Sequence, residues 1–127
     1  MAAPEPVSRI AAGDRRVGDP TPGMVREQAI AVDGMWAGFV RTDPHMTSGW
    51  HHHGDHDTAV YVVDGALRME FGPGGQDVIE AAAGDFLHVP KHAIHREGNP
   101  LDHESHVIVV RAGDGPPTIN VDGPQPA

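Results

Sequence analysis

From Met24 to Ala112 apolar and polar residues alternate in short runs, and no segment carries a long apolar stripe of helical period. The alternation is sharpest where Leu67, Met69 and Phe71 interleave with Arg68 and Glu70, one face for a core and one for water. The stretch before it, "TAVYVV", is rich in β-formers. Asp64-Gly65 joins the two as a turn of the kind that matches strand twist, so a hairpin is expected there. Further strands are expected in "GMVREQAIAV", "MWAGFVR", "QDVIEA", "DFLHVP" and "HESHVIVVRA", with "PTINV" as a last short one. Gly (16) and Pro (12) punctuate the runs as turns do. Residues 1–22 read as a flexible N-terminal segment and 123–127 as a flexible tail, leaving one barrel or sandwich domain over 23–122.

Composition narrows the chemistry. A chain of 127 residues suits a single core, and the absence of Cys removes thiolate catalysis, Fe–S clusters and Cys-ligated zinc. The net charge of −9 repels phosphate backbones, so nucleic acid is not an expected partner. No apolar run approaches membrane-spanning length and "MAAPEPVSRI" lacks the pattern of a signal peptide, so a soluble cytoplasmic protein is expected. Ten histidines are the outstanding feature, since imidazole is the commonest metal ligand.

Four of them fall in "HHHGDH", residues 51–56. The cluster is internal and interrupted, so it is no tag; it is either a solvated polar loop or half of a metal site. On a strand, His51 and His53 share one face while His52 points away. Asp57 follows a bend at Gly54-Asp55 and offers a carboxylate, with His56 as its rival. Imidazole with carboxylate suits first-row divalent metals. A second cluster, "GDFLHVPKHAIHREGN", supplies His95 at the opening of a strand.

The two clusters together resemble the motifs of the cupin superfamily, over roughly residues 36 to 112. The first motif, two histidines one residue apart followed by Glu and then a turn Gly, is matched by His51, His53, Asp57 and Gly65. The second is matched by Gly84, Pro90, His92 in a Gly position, His95 and Asn99. The resemblance implies an all-β, jelly-roll type barrel. It also implies one divalent transition metal ion (Fe, Mn, Ni, Cu or Zn) on His51, His53, Asp57 and His95. Three departures stand out: Asp57 replaces Glu, the interval to Gly65 moves the aligned Glu position toward Thr58, and His92 stands where a Gly is favoured.

Glu97, Tyr61 and His92 are the acid or base candidates, although a solvated carboxylate, a packed aromatic and a turn residue are the plainer accounts of them. His88 reads as a core histidine or a partner of a metal ligand, and His103 and His106 as surface residues. Trp36, Trp50, Phe39, Phe71, Phe86 and Met69 read as core, and Arg68, Glu70, Arg96 and Arg111 as charges on the wet face. The expected function is a mononuclear metalloenzyme on a small organic substrate, with an oxygenase-type reaction favoured over isomerase or decarboxylase chemistry. The alternatives are a non-catalytic small-molecule sensor and a metal-free structural barrel. The resemblance further implies a homodimer, with "GMVREQAI" extending a partner's sheet.

Overall fold

The computed structural model describes residues 3–18 and 21–124. The expected flexible ends therefore fall partly outside the described residues. In chain order the strands are β1 (Arg16–Val17), β2 (Met24–Val32), β3 (Met35–Thr42), β4 (His51–His52), β5 (Asp57–Asp64) and β6 (Ala66–Phe71), then β7 (Asp77–Ala82), β8 (Phe86–Val89), β9 (His95–Gly98), β10 (Ser105–Ala112) and β11 (Ile119–Asn120). They form two antiparallel sheets, ordered β1-β2-β3-β10-β5-β8 and β11-β4-β9-β6-β7. This is the all-β, single-domain jelly roll that the alternating pattern and the two motifs led us to expect. Every strand expected from the pattern is present. Within the segment expected to lie loosely, Arg16 and Val17 pair with Gln28 and Glu27 of β2. β2 thus lies between β1 and β3 of its own chain. Among the described residues, no helix is long and apolar enough to cross a membrane.

The expected hairpin at Asp64-Gly65 is not one. β5 pairs with β10 and β8, whereas β6 pairs with β7 and β9, so the chain passes from one sheet to the other at Gly65. Gly65 sits at φ 84°, and a Cβ there would run into Ser105, whose hydroxyl accepts from the Ala66 N–H. The two-residue Asp-Gly hairpin is instead Asp33-Gly34, between the paired residues Val32 and Met35.

Period-2 alternation fills the barrel in layers. Val107 of β10 stands opposite Val40 and Val62, and Val109 stands opposite Gly38 and Val60. These valines are buried with Leu67, Met69, Val89 and Met24. Full burial of a side chain such as Val62 is worth about 1.5–3 kcal/mol. The next layer changes character: Arg111 stands opposite Trp36 and Thr58. The barrel is therefore aliphatic along part of its length and polar beyond it, and the polar part adjoins the histidines. Gly38 makes room for that change, because a Cβ on it would strike the Trp36 indole. Phe86, expected in the core, lies on the outer face at 74% exposure, packed on Tyr61 at 4.7 Å.

Candidate metal centre

β4 delivers His51, the residue after it in the same alternation delivers His53, and β9 opens with His95 directly across from His51. All three are buried, at 6%, 4% and 1% exposure. Their ring centroids lie 4.4–5.1 Å apart. One nitrogen of each ring comes within 4.8 Å of the others, and these residues could hold a metal ion. His52 points away, and its Nδ1 accepts from the Gly54 N–H at 3.0 Å.

The main chain determines which nitrogen faces the centre. Nδ1 of His51 lies 2.9 Å from the Gly49 carbonyl, that of His53 2.8 Å from Pro117, and that of His95 2.9 Å from Ala93. A carbonyl oxygen only accepts, so each Nδ1 carries the proton and donates it. In the neutral ring that leaves the lone pair on Nε2, the nitrogen free for the centre. This tautomer and this orienting partner are those of metal-bound imidazoles. Burial pushes the pKa of His53 down from 6.5 to about 3; its bond to Pro117 opposes that shift and the nearby Arg111 adds to it. Burial also lowers that of His95, against the nearby Glu97. Buried, convergent imidazoles fit a divalent ion.

Among the proposed acids and bases, Glu97 is at the centre, with Oε1 3.7 Å from Nε2 of His51. It shares the inward parity of His95 on β9. Tyr61 and His92 are elsewhere. Tyr61 has outward parity on β5. His92 points to solvent and pairs with Asp55 at 2.8 Å. Its φ of 62° explains why the motif favours Gly at this place.

Asp57 is also turned away. Its carboxylate lies on the outside, 3.0 Å from His88 and 4.0 Å from Lys91, and the His88 hydrogen bond holds its pKa below the usual carboxylate range. The reason is phase. A turn closed by the His56 N–H on the His53 carbonyl resets the alternation, so Thr58, Val60 and Val62 face inward. Thr58 thus occupies the inward position at which the motif alignment pointed, with its hydroxyl buried and unpartnered. His88, expected inside, is on the outer face with Asp57. His56 is buried, its Nδ1 donating to the His53 carbonyl at 2.9 Å, but it is not one of the three convergent rings.

A cavity of about 640 Å³ reaches the group at His51, and is lined among others by His56, Trp36, Gln28, Arg26 and Arg111. Trp36 Nε1 donates to Gln28 Oε1 at 3.0 Å, and the Arg111 guanidinium lies 4.8 Å from the Trp36 ring. Arg111 is therefore not a charge of the wet face. The signal that places it was available: it has the parity of the buried Val107 and Val109.

Comparison with known proteins agrees with this geometry. The family described as "Cupin domain" matches residues 38–111. The chain belongs to this cupin family. Among curated proteins none matches it in sequence. Solved structures do match this cupin. KdgF from Halomonas sp. is 25% identical, with a TM-score of 0.73 over 85% of this chain and 96% of that one. The polyketide cyclase RemF from Streptomyces resistomycificus is 19% identical, with a TM-score of 0.75 over 91% and 85%. A conserved protein with a double-stranded β-helix domain from Klebsiella pneumoniae is 18% identical, with a TM-score of 0.73 over 91% and 98%. The last two share the fold.

Proposed function

We propose that this cupin is a mononuclear metal-dependent enzyme acting on a small organic molecule. The reading rests above all on the three Nδ1–H groups tied to main-chain carbonyls, which leave three Nε2 atoms free to converge on an ion, one of the rings lining a cavity. His51, His53 and His95 would hold the ion, one of Fe, Mn, Ni, Cu or Zn. The bound metal would polarise a substrate oxygen or, if redox-active, support an oxygenase-type reaction. Three protein ligands leave positions open for substrate.

The chain's own contribution is binding, orientation and proton handling. Glu97 is the group within reach of the centre that can hold or release a proton, and its 18% side-chain exposure gives that proton a route to solvent. The Trp36 indole and Gln28 wall the cavity and narrow the space open to water. The decisive experiment measures metal content and Co(II) visible spectra of wild type, His95→Ala and His52→Ala. Near-stoichiometric metal in wild type and His52→Ala, absent from His95→Ala, is expected. Equal uptake by all three would refute the site. Glu97→Gln that keeps its metal but loses turnover, in a screen of small oxygenated substrates, would assign the proton role.

A further inference from the structure

The cavity beside the histidines is positively charged in a chain of net charge −9. Among the described residues its lining carries Arg26 and Arg111 and no carboxylate. Arg26 Nη1 donates to Thr21 Oγ1 at 2.7 Å. The Arg111 Nε is buried and has no hydrogen-bond partner. Burial, reinforced by the charge of Arg26, lowers the pKa of Arg111, and Glu97 offsets part of that. Two guanidinium groups sharing one cavity repel each other, and a nearby carboxylate, that of Glu97, neutralises at most one of them. The Arg111 guanidinium carbon lies over the Trp36 ring, 4.8 Å from its centroid, and a guanidinium presents paired N–H donors that match a carboxylate.

We propose that this cavity takes a small organic acid, its carboxylate held by Arg111 with Arg26 as the second charge, and another of its oxygens directed at the His51–His53–His95 centre. The second contact rests on the metal reading above; the first does not. His51 lines the same cavity, so one molecule can meet both groups.

The test is calorimetric titration of Zn(II)-loaded and metal-free protein with lactate, malonate and succinate, and with lactamide, malonamide and succinamide. At least one acid should bind wild type at least tenfold more tightly than its amide. Arg111→Gln should weaken that acid at least tenfold while leaving zinc content unchanged, and Arg26→Gln should weaken it by a smaller factor. An unfolding midpoint checks each variant. If Arg111→Gln does not fold, Arg111→Lys, which keeps the charge and loses the fork, takes its place with a loss of several-fold. The proposal falls if no acid binds wild type, or if acids bind wild type and the Arg111 variant equally, as chelation of zinc alone would give. If wild type takes up no zinc, the metal reading fails by itself. The carboxylate site then stands on Arg111-dependent binding to metal-free protein, and falls without it.

Discussion

Asn99 closes the second motif and lies at 2% exposure beside the strand that carries His95 and Glu97, so it invites a role in the site. The structure gives it a different task. Its Nδ2 donates to the carbonyls of Thr42 at 3.1 Å, Asp43 at 3.3 Å and His103 at 2.7 Å. Its Oδ1 accepts from the Leu101 N–H at 3.0 Å. One side chain thus ties the end of β3 to the loop before β10. Asn99→Asp keeps the volume and the Leu101 bond but sets an acceptor against three carbonyl oxygens. The two N–H groups, shared among the three carbonyls, are worth about 1 kcal/mol net each, so their loss predicts a destabilisation of about 2 kcal/mol. For a chain of this size that lowers Tm by ~8 °C, at ~4 °C per kcal/mol. Urea unfolding followed by tryptophan fluorescence should show a lower midpoint at unchanged slope. Zinc uptake under conditions where the variant is folded should match wild type. A variant that keeps its midpoint but loses zinc would refute the scaffold role and place Asn99 in the site.

Other perturbations separate the residues that face the centre from those that do not. Asp57→Ala should leave metal content unchanged, since its carboxylate serves His88 on the outside; loss of metal by elemental analysis would restore it as a ligand. Thr58→Val removes a buried, unpartnered hydroxyl at constant volume and should raise stability by about 1 kcal/mol in denaturant titration; a drop in metal affinity instead would show that the hydroxyl meets the ion. At position 92, with its left-handed backbone, Gly should be more stable than Ala by about 1 kcal/mol in the same assay. Equal stability would mean that the turn relaxes to a negative φ.

The strands were legible because a half-buried sheet writes its two faces into alternate residues, and the His51–His53 pair was legible for the same reason. Partners across the sheet were not. Asp33-Gly34 and Asp64-Gly65 carry the same turn signal, yet one makes a hairpin and the other a change of sheet. The difference lies in where β10 runs, far along the chain, with Ser105 packed under Gly65. Asp57 was misjudged because parity counted through a turn does not hold: the three residues between His53 and Asp57 reset it, and the inward place passed to Thr58. Arg111 was misjudged on composition, since an arginine looks like a surface residue until its parity with Val107 and Val109 is weighed. Phe86 failed in the opposite sense, as an aromatic whose parity turned it outward.

One anchor of the three convergent histidines has a bearing on the order of events. Two of the three histidines are held by carbonyls two residues away, at Gly49 and Ala93, and are oriented as soon as their own turns form. His53 is held by Pro117, 64 residues downstream. Pro117 arrives with the segment that lays β11 against β4 and donates the Val121 N–H to the Trp50 carbonyl. On the ribosome, all three histidines and all the longer strands are made before the atom that aims the middle one. The arrangement is therefore finished by a stretch that follows all three histidines in the chain, and a nascent barrel without that stretch holds all three imidazoles but has only two of them fixed in aim.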